Sequence, residues 1–351
     1  MQLLDMSFKG NSFQVEGQSS LLFESALGIA AMTYKKLHDA LDKPGAYWKQ
    51  LWKNVSGSLR RELIYCEEHQ TWKMLLQLLH MQAFASVAAL ESYVERLGNE
   101  DFKFIVLPYL GRTLQPTRRQ AAEGDADAAA KLIAACASHE FFPEMIRTVS
   151  QSEAEGLKRH LLSLLKLWDV EVAAAEAETK SAILKRDLAR IETWTKTCSP
   201  EEVVLRAAGV EYQAEAGVSR VLLIPHVIYR PWTIEANMEG VQIFYYPVSN
   251  ESLSADNDPY QPPGRLVQLY KALGDEKRLR ALKLIAEKER SLKELTDLLG
   301  LGKTTVHHHL AILRGAGLVR VKEGSYSWNT HSLNHQDRDL RSFLGLEPTV
   351  S

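Results

Sequence analysis

Lys303 to Val319 reads KTTVHHHLAILRGAGLV. Three consecutive imidazoles suggest metal ligation first, because neutral histidine is a common ligand for zinc and its neighbours. The spacing argues otherwise. Val306, Leu310 and Leu313 fall at i, i+4 and i+7, the apolar stripe of an amphipathic helix. Consecutive helical residues point about 100° apart, so His307, His308 and His309 fan around the axis instead of converging on one ion. A helical ligand pair needs i, i+3 or i+4 partners, and four residues beyond His307 and His308 stand Ala311 and Ile312. No metal ligand is assigned. The same stripe leaves Lys303, Thr304, His307 and His308 facing outward, with Thr305 beside them. It puts His309 nearer the core edge, where a structural hydrogen bond is expected. An amine, hydroxyls and imidazoles on one helical face can bond base edges and phosphates: lysine suits guanine O6/N7, threonine either target.

A second chemistry is suggested by GKTT at 302–305. A phosphate-binding loop of the Gly-x-x-x-x-Gly-Lys-Thr type needs a glycine five residues before the Gly-Lys pair, after a strand. That position is Asp297, inside a helical pattern, so nucleotide binding is rejected.

The elements around this string must hold its polar face outward. RLVQLYKALG predicts a helix ending at Gly274. DEKRLRALKLIAEKE predicts another, capped by Asp275, with Leu279, Leu282 and Ile285 on one face. SLKELTDLLG starts with a Ser291-x-x-Glu294 capping box and stops at Gly300. After Leu301 and Gly302 the histidine helix begins, and LVRVKEGSYSWNT then alternates around Glu323-Gly324 as a hairpin does. Two helices joined by a tight glycine-containing turn and followed by a hairpin describe a winged helix-turn-helix. The hairpin contributes Arg320, Lys322 and Tyr326, basic and aromatic groups suited to backbone or minor-groove contact. Arg278, Arg280 and Arg314 add to the basic surface. The net charge of −2 conceals an asymmetry: residues 264–330 carry 13 Lys and Arg against 7 Asp and Glu, whereas residues 1–263 carry 27 against 34. A basic module on an acidic body favours a polyanion at one end.

The stretch Leu266 to Thr330 resembles the ArsR/SmtB family of bacterial transcriptional regulators, most specifically through LLGLGKTTVHHHLAILRGAGLV. The resemblance implies a DNA-binding transcriptional regulator that contacts double-stranded DNA through Lys303, Thr304, Thr305, His307, His308, Arg320, Lys322 and Tyr326. A homodimer is expected, because half-sites about one helical turn (~34 Å) apart are usually read by two-fold dimers. Many members of that family sense metals. One such site uses cysteines on the helix before recognition, and SLKELTDLLG has none. The tail residues His331, His335, Asp337 and Asp339 lack the spacing of the other site, so neither metal nor cofactor is expected.

The rest of the 351 residues bounds the context. No apolar run approaches the ~18–20 residues of a membrane span, and MQLLDMSFKG lacks the pattern of a signal peptide. Cys66, Cys136 and Cys198 form no zinc or Cys-x-x-Cys spacing and suit a reducing, cytoplasmic location. SNESLSADNDPYQPPG, 249–264, reads as a linker. Before it, residues 1–248 read as a mostly helical regulatory or dimerisation domain; after it, 265–351 is the winged helix. Long helices are expected over SSLLFESALGIAAMTYKKLHDAL, capped by Ser19 or Ser20, and over TWKMLLQLLHMQAFASVAALESYVERLG up to Gly98. SEAEGLKRHLLSLLKLWDVEV and ETKSAILKRDLARIETWTK are further amphipathic stretches. NSFQVEG and SRVLLIPHVIYRPWTIEANMEGVQIFYYP predict strands. The fold class is thus mainly α: a helical N-terminal domain with a small β segment, then a C-terminal winged helix-turn-helix. Tyr47, Trp48, Trp52 and Trp72 read as core ahead of a cavity lining. The body carries no Gly-x-Ser-x-Gly, His-Glu-x-x-His or Gly-x-Gly-x-x-Gly, so no enzyme is expected. It offers an effector pocket, a dimer platform or a protein-binding surface. The competing reading is an enzyme or effector-processing domain tethered to a DNA-binding module.

Overall fold

The computed structural model describes residues 13–213, 215–253, 260, 262, 264–322, 325–329, 340–341, 343–344 and 346; the side chains at 39, 40, 264, 265, 321 and 322 are not among them. The chain is mainly α and divides into two compact units, Met1–Val248 and Ser249–Ser351. Among the described residues no helix is long and apolar enough to cross a membrane.

The first unit opens with β1 (Gln14–Gly17) and α1 (Leu21–Thr33), followed by α2 (Gly45–Asn54), α3 (Gly57–His69), α4 (Trp72–Leu79), α5 (Val87–Arg96) and α6 (Asn99–Val106). Then come α7 (Gln115–Ala122), α8 (Ala126–Ala135), α9 (Phe142–Gln151), α10 (Ala154–Trp168), α11 (Ala177–Trp194) and α12 (Pro200–Ala208). Three strands close the unit: β2 (Arg220–His226), β3 (Ile234–Met238) and β4 (Val241–Pro247).

Helix α1 is the hub. It is mostly apolar and buried on every side from Leu22 to Thr33, the signature of a core helix. The Ser20 hydroxyl caps it by accepting from the Leu22 amide. At Gly28 an added Cβ would meet the Trp168 ring at 2.7 Å, so glycine is what lets α10 approach this closely. The buried Glu24 carboxylate accepts from the Val227 amide at 2.9 Å and lies 3.2 Å from the Lys180 ammonium, which ties α1 to α11 and to the end of β2.

The four-stranded sheet has the order β1-β2-β4-β3, with β1, β2 and β4 parallel and β3 antiparallel. Strands β2 and β4 are almost continuously buried, as strands covered on both faces must be. Alternation sorts their side chains. Leu222, Ile224, Ile243 and Tyr245 join the large helical core. Val221, Leu223, Phe244 and Tyr246 join a second core with Ile191, Val203 and Val204 from α11 and α12.

Two helices expected as continuous are broken. The first ends at Thr33, whose hydroxyl bonds the Ile29 and Ala30 carbonyls, and Lys35–Ala40 is a 3-10 turn. The second is interrupted between α4 and α5. The Ser86 hydroxyl accepts from the Ala89 amide, so it starts a new helix. The break lets His80 lie against the Phe23 ring and bond the Tyr245 hydroxyl at 2.5 Å. Trp48 and Trp72 are buried in the core, with Tyr47 and Trp52 packed against it. The three cysteines are free thiols, and burial pushes that of Cys66 up to about 12.

In the second unit, the segment read as linker contains the short helix α13 (Asn250–Leu253). It is followed by α14 (Gly264–Leu273), α15 (Glu276–Glu287), β5 (Arg290–Ser291), α16 (Leu292–Leu299), α17 (Lys303–Gly315), β6 (Val319–Lys322) and β7 (Ser325–Trp328). The strands form an antiparallel sheet in the order β5-β7-β6. Ala281, Leu282, Ile285, Leu295, Val306, Leu310, Leu313, Leu318 and Val319 belong to one core. Leu279, expected in it, is 48% exposed. The buried residues of α15 are Ala281, Leu282 and Ile285, in line with the half-buried Arg278, whose guanidinium is tied to the Ala272 and Lys271 carbonyls; Leu279 is one position off that stripe.

The capping box at α16 is formed in both directions. Ser291 Oγ accepts from the Glu294 amide at 3.3 Å, and the Glu294 carboxylate accepts from the Ser291 amide at 2.8 Å. Ser291→Ala should cost about 1 kcal/mol of local stability. The first-turn amides of α16 should then exchange with deuterium roughly fivefold faster, read by hydrogen-exchange mass spectrometry.

Candidate nucleic-acid interface

The geometry of α17 is set at both ends. Gly300 adopts φ 63°, a left-handed conformation that glycine reaches without strain, and this ends α16 abruptly. Leu301 and Gly302 complete the turn, and no side chain caps the first amides of α17, so its positive end stays open. At the other end the Leu318 amide donates to the Leu313 carbonyl and the Gly317 amide to that of Arg314, with Gly317 at φ 71°. That is a Schellman motif, with Leu313 and Leu318 both buried beneath it. The string RGAGLV is therefore the device that turns the chain from α17 into β6.

Between these ends Val306, Leu310 and Leu313 are buried, and Lys303, Thr304, Thr305, His307 and His308 are all exposed. Five of the eight candidate residues thus share one accessible helix surface. His309 is half-buried, as the spacing implies, but its Nδ1 has no hydrogen-bond partner, so the structural bond expected of it is not made there. The His308 and His309 rings stand 6.3 Å apart and tilted. Asp297 lies inside α16, which leaves 302–305 without the loop a bound phosphate chain needs. Among the described residues no three His, Cys, Asp or Glu side chains are grouped to hold a metal ion. The tail residues His331, His335, Asp337 and Asp339 lie outside the described residues.

The wing is arranged differently from its sequence reading. Arg320 is exposed and pairs across the ladder with Ser327. Lys322 pairs with Ser325; its side chain lies outside the described residues, as do Glu323 and Gly324 of the turn. Tyr326 is half-buried and packs on the core together with Trp328, two positions along the same strand face. Asn329 was not singled out from sequence. It is buried, accepts from Arg320 Nη2 at 3.0 Å and donates to the Gly317 carbonyl at 2.9 Å, which fastens the wing's base to the end of α17. A lone asparagine after a strand carries no sequence signal of such a role. Much of the basic charge elsewhere is used internally. Arg278 serves carbonyls and lies 3.7 Å from Asp275, and Arg280 is paired with Glu276 at 2.8 Å.

A helix, a tight turn, an exposed polar helix and a two-stranded wing on one core define a winged helix-turn-helix. The family model described as bacterial regulatory protein, arsR family, matches residues 275–321. An uncharacterized HTH-type transcriptional regulator of Methanocaldococcus jannaschii is 40% identical over 67 residues, covering 18% of this chain and 73% of that relative. Through its C-terminal module the chain belongs to the arsR family of bacterial regulatory proteins, a family of DNA-binding transcriptional regulators. No solved structure matches the chain.

Proposed function

We propose that the protein is a cytoplasmic, homodimeric, sequence-specific DNA-binding regulator of the ArsR type. In this reading α17 is the recognition helix, residues 265–351 form the DNA-binding domain, and residues 1–248 modulate it through an effector without catalysing a reaction. The observation that carries the reading is the exposed surface of Lys303, Thr304, Thr305, His307 and His308 opposite a fully buried stripe. Lys303, His307 and His308 are assigned to base edges in the major groove, Thr304 and Thr305 to base or phosphate. Arg320 and Lys322 are assigned to phosphates beside the groove. Tyr326, with its ring on the core, supports the wing and contributes at most an edge contact.

The test is a fluorescence titration of the full-length protein against duplex fragments at several salt concentrations. Each phosphate neutralised adds about −0.9 to the slope of log K against log salt, so several contacts should give a slope of about −3 or steeper. A flat response, or no binding to any genomic fragment, defeats the proposal. The same titration should be unchanged by a chelator. Stoichiometric zinc together with chelator-sensitive affinity would overturn the assignment of His307 and His308 to DNA.

A further inference from the structure

The first unit holds a cavity of about 400 Å³, within the range of small-molecule sites. Leu97, Phe104, Ile105, Tyr109 and Met238 give it apolar walls, and the exposed Met81 stands at its edge. Arg118, on α7, also lines it and is only 8% exposed. Its guanidinium donates to neutral acceptors: Gln115 Oε1 at 3.1 Å, the Leu107 carbonyl at 2.9 Å and the Ile105 carbonyl at 3.4 Å. Its Nε–H is buried with no hydrogen-bond partner.

The other charged side chains at the site have hydrogen-bond partners of their own. Arg119 is paired with Asp101 at 2.9 Å, and Glu239 is held by the Gln115 amide at 3.0 Å. Asp101 and Glu239 are exposed, so water screens them, whereas Arg118 is walled off from water. Both guanidinium groups lie over the Phe104 ring, with Arg118 Cζ 4.3 Å and Arg119 Cζ 3.9 Å from its centroid. Burial, and secondarily the neighbouring Arg119, pull the Arg118 pKa down to about 10 against the Glu239 carboxylate, which works the other way, and leave it a cation at neutral pH. Glu239 is the opposing charge at the site but is exposed and screened, and a buried N–H left without an acceptor is costly. The strongest relief is a planar anion that accepts from guanidinium.

We propose that this cavity binds a small monocarboxylate with a compact apolar body, its carboxylate on Arg118 and its apolar part against Phe104, Leu97 and Met238. The unsatisfied Nε–H calls for one acceptor, and a carboxylate is the planar acceptor that matches a guanidinium. The carboxylates of Asp101 and Glu239 at the site disfavour a dianion such as phosphate. The inference rests on the proposed regulatory role of residues 1–248 for its purpose, while its measurement needs no DNA.

Calorimetric titration of the full-length protein with phenylacetate and with 2-phenylethanol, which share one apolar body, tests it. Phenylacetate should bind at least tenfold more tightly. Arg118→Gln should abolish that preference. Met81→Trp, which fills the edge from an exposed position, should weaken phenylacetate at least tenfold without lowering the melting temperature, and it carries the test if Arg118→Gln fails to fold. Equal binding of acid and alcohol, binding of inorganic phosphate in preference to phenylacetate, or binding unaffected by both variants overturns the proposal. So does no binding of either probe. If phenylacetate binds as stated but leaves DNA affinity unchanged, the site stands and the regulatory reading of residues 1–248 fails.

Discussion

Lowering the pH from 7 to 5 should remove up to about 4 kcal/mol from the stability of the first unit, through two histidines that fold in the neutral form. His226 is 0% exposed at the end of β2, where its Nε2 bonds the Trp232 carbonyl at 3.0 Å and its Nδ1 has no partner. Burial, and to a lesser extent the Arg230 guanidinium, holds its pKa at about 3 against the Trp232 bond, which works the other way. Burial likewise pulls His80 down to about 4, where it bonds Tyr245 and lies against Phe23. In the unfolded chain both imidazoles protonate near pH 6.5. Between pH 6.5 and about 4 the unfolded state therefore binds more protons than the folded one. The stabilisation is complete above pH 6.5 and is lost on acidification, at roughly 1.4 kcal/mol per pH unit for each histidine. Urea denaturation at pH 7, 6 and 5 measures it. His80→Gln should reduce the pH dependence by about one proton even if it lowers stability throughout. A midpoint that does not move between pH 6.5 and 5 would show that water or a rearrangement relieves both sites.

These two histidines also mark where sequence reasoning stops. In the second unit the signals are local. Asp275, Ser291 with Glu294, Gly300 and the Gly317 exit act on amides and carbonyls within a few residues, so the composition of each turn discloses the turn. Leu279 shows how fine the margin is: a helical stripe displaced by one position moves a side chain about 100° around the axis. Tyr326 was open to a parity argument, because residues two apart on a strand share a face and Trp328 is apolar. The first unit is governed by distant partners. β1 pairs in parallel with β2 across some two hundred residues, from Gln14 to Arg220, and nothing near either strand encodes that pairing. The break between α4 and α5 looks locally like one helix, and contacts of His80 with Phe23 and Tyr245 accompany it. Nothing in RTLQPTRRQAAEG tells Arg118 from Arg119; only the fold separates the buried guanidinium from the one paired with Asp101.

On a selected operator, His307→Ala should cost about 1–3 kcal/mol, a loss of roughly fivefold to 160-fold, and far less on random duplex. His307 is exposed on α17 one position beyond the buried Val306, so the substitution removes a potential base contact without opening the core. Its melting temperature should stay within a degree or so of the parent. His309→Ala should behave in the opposite way. That ring is half-buried, with the Asp275 carboxyl at the α15 start nearby. Its loss should act through stability, and operator discrimination should survive in whatever fraction stays folded. Lys322→Ala separates anchoring from reading. Lys322 sits opposite Ser325 on the wing ladder, and a phosphate contact there should weaken operator and random duplex about equally while making the salt slope shallower by roughly one unit. Competition binding with operator and scrambled duplexes, set beside melts of each variant, distinguishes the three behaviours. If His309→Ala removes discrimination while His307→Ala lowers the melting temperature, the faces of α17 are exchanged relative to the buried stripe of Val306, Leu310 and Leu313. If neither histidine alters discrimination, specificity moves to Lys303, to Thr304 or to the shape of the DNA, and the three imidazoles serve only to keep that helix face polar.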